Sequence, residues 1–173
     1  MKPRKQLKVT FGKSVIVSVG ISAKRVLMCR VVPDRWNASE AAAMYRTSLG
    51  PALKRASPGK KRFLVLEDND PSGYKTKAAL EAKGEVGIEC LEFPKRSPDL
   101  NPLDYGFWDV VNRRMRKQEA AFPKTKRETR DEFIVRLKRT ITRVPESVLT
   151  PLVKSMKRRC AALKASGGKH FEE

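Results

Sequence analysis

The sequence predicts an α/β domain in which helices pack against a sheet with some parallel pairing. Two observations carry this reading. Short β-branched or wholly apolar runs alternate with stretches of helical period. Chain-breaking residues, among them Ser57-Pro58-Gly59, Asp70-Pro71 and Pro145, fall between those stretches. The predicted order is strand, strand, helix, strand, helix, strand, and then helices.

Ser14-Val15-Ile16-Val17-Ser18-Val19 is a β-branched run that reads as a buried strand. Ile21-Ser22-Ala23-Lys24 reads as a turn, Arg25 to Val32 as the hairpin partner, and Pro33 with Asp34 closes the unit. From Ala38 to about Arg55 the apolar stripe Ala42, Tyr45, Leu49, Leu53 predicts a helix, with Asn37 or Ser39 as its cap. Phe63-Leu64-Val65-Leu66 predicts a short strand buried on both faces, and Lys75 to Lys83 a helix ended by Gly84. Ile88 to Leu91 predicts another strand. Pro94 to Pro102 is a proline-punctuated loop, and Pro102 suits the first position of a helix reaching about Gln118. Helices over about Glu128 to Arg143 and Glu146 to Leu163, separated by Pro145, complete the order. The expected organisation is a basic segment over 1–13, an α/β body over 14–120, helices of the same domain over 121–165 and a disordered tail over 166–173.

At 173 residues, 40% apolar and 33% charged, the chain has room for one domain with a sizeable core and a heavily solvated surface. No apolar run approaches the roughly 20 residues that span a bilayer. Met1-Lys2-Pro3-Arg4-Lys5 lacks the apolar stretch of a secretory signal, so an intracellular, soluble chain is expected, with no membrane partner. Cys29, Cys90 and Cys160 stand far apart with no CxxC spacing, and His170 is the only histidine, which excludes the usual zinc sites.

A formal net charge of +19 makes nucleic acid the default partner. No acidic residue precedes Asp34, and Arg113, Arg114, Arg116 and Lys117 form a second basic block. The candidate phosphate contacts are Lys95, Arg96, Arg113, Arg114 and Lys117. Such contacts give affinity without sequence specificity. The competing reading is a diffuse basic surface.

Asp68 follows the Phe63 strand, at the strand end where open α/β sheets form ligand sites, and strand period puts it on the side of Leu64 and Leu66. The alternative is a polar turn whose acids cap the next helix. Counted at a uniform helical step from Leu103, Asp104 falls inside the apolar arc of Leu103, Phe107, Trp108, Val111 and Met115, whereas Asp109 points to the polar side. A carboxylate there is costly unless capped, paired or bound to a metal. Its alternative is interaction with its own helix N-terminus. Two carboxylates at a strand end and a helix start suit hard divalent ions and phosphodiester chemistry.

Leu66-Glu67-Asp68-Asn69-Asp70-Pro71 resembles the segment around the second catalytic aspartate of Tc/mariner transposases. Phe93-Pro94-Lys95-Arg96-Ser97-Pro98-Asp99-Leu100-Asn101-Pro102-Leu103-Asp104-Tyr105 resembles the segment that delivers the third acid. The short spacing between Asp68 and Asp104 agrees, and an aspartate at the third position is the mariner-like choice. Ser14 to Ser22 and Ser155 to Gly168 resemble the second strand and the closing helix of the family, so the likeness covers about residues 14–168. It implies an RNase H-like mixed sheet flanked by helices. In that family three acids coordinate two Mg2+ or Mn2+ ions, and water, then a DNA 3′-hydroxyl, attacks phosphodiesters. Asp68 and Asp104 are the matches to its catalytic and metal-binding residues. The resemblance also implies nuclear action on DNA and possible self-association.

The departures set further expectations. No acidic residue occurs where the first catalytic aspartate and its strand would lie, and Asp34 is misplaced for that role. Lys8-Val9-Thr10-Phe11 can fill the strand position but brings no carboxylate. No helix-turn-helix module precedes the domain, and the histidine often found five residues after the second aspartate is Gly73 here. The sequence is therefore expected to be a transposon-derived DDE/DDD catalytic-domain fragment, inactive alone. The alternative is a domesticated, non-enzymatic basic nucleic-acid-binding protein.

Overall fold

The computed structural model describes residues 14–68, 70–91, 94, 97–123 and 127–167. The expected basic segment over 1–13, with its Lys8–Phe11 strand, lies outside the described residues, as do Lys95, Arg96 and tail residues 168–173. β1 (Ile16–Ile21) and β2 (Val26–Val32) form an antiparallel hairpin. Ser22 builds its turn: its backbone N–H and its hydroxyl donate to the Arg25 carbonyl at 2.9 and 3.1 Å, and the hydroxyl accepts from the Arg25 N–H at 3.2 Å. β3 (Phe63–Val65) and β4 (Ile88–Cys90) pair in parallel, Phe63 opposite Ile88 and Val65 opposite Cys90. A parallel pair needs a crossover, and α3 (Lys77–Val86) supplies it. The pairing is mixed as predicted, divided among the described residues between two two-stranded sheets.

α1 (Ala38–Met44) and α2 (Gly50–Ala56) are one helical run joined by a π-helical turn, Tyr45–Leu49. Asn37 is the cap, its side chain accepting from the Glu40 N–H at 3.0 Å. Of the predicted stripe, Ala42, Tyr45 and Leu49 are buried and Leu53 packs against them. With Ala79, Ala82 and Val86 of α3 and Phe63 and Ile88 of the parallel strands they make one core.

A second core joins α4 (Trp108–Ala120), α5 (Arg130–Thr142) and α6 (Glu146–Ala165). Phe107, Val111 and Met115 of the predicted arc meet Ile141, Val144 and Leu149 there. The hairpin lies between the cores: Leu27 and Met28 pack on the first, Val19, Ile21, Val26 and Cys29 on the second. At about 1.5–3 kcal/mol per large apolar side chain buried, each core outweighs any single polar contact that follows. α6 is tied to the hairpin turn where the Thr150 hydroxyl donates to the Ala23 carbonyl at 2.7 Å. α5 starts in a capping box, Thr129 with Glu132.

Two local expectations are corrected. Gly84 does not end α3; the helix runs to Val86, and Gly87 caps it in the left-handed region at φ 82°. A Cβ there would also lie 2.0 Å from the Lys61 carbonyl, so a side chain is excluded twice over. Nor is β3 buried on both faces: Phe63 is buried, but Leu64 is 67% exposed. The face of β3 that Leu64 and, by strand period, Asp68 share is open to solvent. No helix among the described residues is long and apolar enough to cross a membrane.

Candidate metal and nucleic-acid site

Past Val65 the backbone leaves the β3–β4 ladder, and Glu67 and Asp68 diverge in environment. Glu67 turns inward. One carboxylate oxygen accepts from the Tyr45 hydroxyl at 2.5 Å, and the other pairs with Lys83. Burial, then the Glu67 hydrogen bond and charge, push the Tyr45 phenol far above its ordinary value. Asp68 is exposed on the other side.

The acids after Asp68 do not cap α3. Asp70 closes its own turn, accepting from the Ser72 N–H at 2.9 Å and the Ser72 hydroxyl at 2.8 Å, while Thr76 caps the helix. Gly73 lies beneath Trp36, where an added Cβ would meet the indole Nε1 at 2.0 Å. Trp36 and Tyr74 pack with ring centres 5.0 Å apart. Tyr74 also hydrogen-bonds Ser18 of β1, and burial pushes its phenol up to about 12.

Asp104 enters on a 3-10 turn, Pro98–Leu100, followed by a π-helical turn, Leu103–Phe107. Asn101 organises both: its side-chain oxygen accepts from the Leu103 N–H at 3.1 Å, its amide donates to an Asp104 carboxylate oxygen at 2.8 Å, and its carbonyl accepts from the Asp104 N–H at 2.9 Å. Asp104 is exposed rather than inside the apolar arc. The uniform helical step behind that expectation fails across Leu103–Phe107, because a π turn is wider than an α turn. Pro102 is the first helical residue, as expected, and the extended Asn101 before it is the cap.

Desolvation raises the Asp104 carboxyl above its ordinary value, the Asn101 amide opposes the rise, and the negative charge of Asp68 adds to it. Carboxylate oxygens are the donors a hard divalent cation takes. Among the described residues no group of three or more His, Cys, Asp or Glu gathers to complete such a site.

The loop before Asp104 is fastened to α6. The Arg159 guanidinium donates to the Asp99 carbonyl at 3.1 Å and stacks over Tyr105. The Tyr105 hydroxyl donates to the Leu152 carbonyl at 2.5 Å. On α4, Arg113 is exposed and pairs with Asp109 at 3.0 Å, Arg114 is half-buried and donates to the Arg143 carbonyl at 3.0 Å, and Arg116 and Lys117 are exposed.

Sequence reasoning missed the Glu67–Lys83 pair. Its signal was present: Lys83 shares the α3 face of Ala79, Ala82 and Val86, where an unpaired ammonium has no place.

No family model matches the chain. In sequence it is similar to the transposable element Tc1 transposase of Caenorhabditis elegans, 27% identical over 128 residues, 72% of this chain and 42% of the relative. It is 30% identical over 98 residues to the Tcb2 transposase of Caenorhabditis briggsae, 57% of this chain and 33% of the relative. The chain thus spans less than half the length of these relatives. In fold it matches the catalytic domain of the Mos1 mariner transposase with a TM-score of 0.74 at 21% identity, covering 91% of this chain and 76% of that domain. That domain has also been solved with Mn. The Mos1 paired-end complex with the left transposon end matches at 0.74 and 22% identity, covering 99% of this chain and 47% of that one. The chain therefore has Tc1/mariner transposases as sequence relatives, and its fold is the RNase H-like one of the mariner catalytic domain.

Proposed function

We propose that this chain is a transposase-derived catalytic-domain fragment that binds DNA through phosphate contacts, holds Mg2+ or Mn2+ loosely, and does not cut DNA alone. The carrying observation is the fold, which matches that of the Mos1 mariner catalytic domain with both aspartate-bearing segments in place. Asp68 sits past the end of a parallel strand and Asp104 in a turn ordered by Asn101, so an ion between them would meet two carboxylates. When bound, such ions stabilise the attacking and leaving oxygens of a phosphodiester displacement. Two carboxylates are a sparse ligand set, and ligand number and charge set affinity for hard cations. DNA contacts are assigned to the exposed basic face of α4, Arg113 and Lys117 first, with Arg114, Lys95 and Arg96 as further candidates. Nuclear action and self-association are carried over from the family.

The second reading, a non-enzymatic DNA-binding protein, is favoured by the net charge of +19. Mn2+ titration followed by electron paramagnetic resonance, run on the parent, Asp68→Asn and Asp104→Asn with a plasmid-nicking assay alongside, separates the two. The leading reading expects weak uptake lost in both variants and no nicking. Uptake unchanged in both variants leaves the second reading, and nicking that vanishes in Asp68→Asn means that another acid completes an active site.

A further inference from the structure

We propose that Lys83 is a positioning residue for Asp68, its buried ammonium fastening the chain on both sides of that carboxylate. The assignment rests on the metal-binding reading of Asp68 and Asp104. Lys83 is 5% exposed, on a face of α3 otherwise lined by Ala79, Ala82 and Val86. An ammonium carries three donors, and two are spent on the segments that flank Asp68. One reaches the carboxylate of Glu67, the residue immediately before it. Another reaches the Tyr74 carbonyl at 2.8 Å, beyond the Asp70 turn. The Tyr45 ring centre lies 5.1 Å from the Lys83 Nζ, and the Tyr45 hydroxyl holds the second Glu67 oxygen. Both Glu67 oxygens are therefore engaged, which keeps Glu67 turned away from the Asp68 side.

Core stability does not account for this arrangement. Taking both charges out of water is costly, and apolar residues of similar volume often serve as well or better. Fixing the backbone does account for it. The β3–β4 ladder ends at Val65 with Cys90, so the chain at Asp68 has left the sheet. Lys83 supplies the missing anchor from a rigid helix, joining the way into Asp68 to the way out. A ligand carboxylate must be held to within about 0.5 Å for a productive site, and supporting groups do that holding.

The test uses the full chain. Lys83→Met leaves Glu67 as an uncompensated buried charge and risks unfolding. The double variant Lys83→Met with Glu67→Gln carries no such charge and is the deciding protein. Amide hydrogen exchange at Ser72, Tyr74 and Thr76 is expected to quicken about tenfold, while Val111, Ile141 and Leu149 in the second core stay as protected as in the parent. Mn2+ affinity is expected to fall about tenfold or more, as when other residues that orient a metal ligand are lost. Asp68→Asn should lose Mn2+ with exchange unchanged. Unchanged exchange in the double variant, or faster exchange with parental Mn2+ affinity, overturns the assignment of Lys83 alone. A parent chain that takes up no Mn2+ overturns the metal reading, and this assignment with it.

Discussion

The Arg159 guanidinium lies 3.8 Å from the centre of the Tyr105 ring, and Tyr105 immediately follows Asp104. The closing helix thereby reaches back onto the turn that presents a candidate metal ligand. Ser155 adds to the same contact, its hydroxyl donating to the Tyr105 oxygen at 3.1 Å. Arg159→Ala removes a stacked cation and a hydrogen bond to the Asp99 carbonyl, and should cost about 1–3 kcal/mol in urea unfolding. Arg159→Lys should recover only part of that, because a point charge cannot stack as a planar guanidinium does. Full recovery by lysine would show that charge alone matters there.

Gly73 occupies space that Trp36 has already filled. Gly73→Ala should destabilise the chain by about 1–3 kcal/mol, the usual range for overpacking. Gly73→His, which adds a larger side chain, should cost more. In a Trp36→Ala background the cost of either change should shrink. Equal penalties in both backgrounds would place the cause in the backbone rather than in the indole.

The raised Asp104 carboxyl has a defined consequence for stability. A folded-state pKa above the unfolded value means that the fold disfavours the charged form. The penalty is absent below the unfolded pKa of about 3.9 and complete once pH exceeds the folded value. In EDTA, Asp104→Asn should therefore equal or exceed the parent in stability at pH 7, and the difference should vanish at acid pH. A variant less stable than the parent at pH 7 would mean that the carboxylate makes a contact worth more than its desolvation and its repulsion by Asp68.

DNA binding should be salt-sensitive and indifferent to sequence. Fluorescence anisotropy with two unrelated duplexes should return the same affinity, falling steeply as salt rises. Lys117→Ala should lower the slope of log K against log salt by about 1. Arg114→Ala should act first on unfolding, since that side chain holds the Arg143 carbonyl. A strong preference for one duplex would reveal direct contacts to base edges.

Local pattern alone determined the elements, because apolar period is a property of neighbouring residues. The stripe Ala42, Tyr45, Leu49 and the arc Phe107, Val111, Met115 are buried as their spacing required. The motifs around Asp68 and Asp104 were legible as well, being runs of neighbouring residues. What holds them was not, since Arg159 reaches the Asp99 carbonyl and Lys83 reaches Glu67 only in the folded chain. Tertiary structure also decided which face of β3 is open, where α3 stops, and that Asp104 is exposed. The last follows from a π turn, whose wider step no α-helical count anticipates. Above all it decided the partner of Lys83: a lysine on an apolar helix face requires a counter-charge, but only the folded chain brings Glu67 to it.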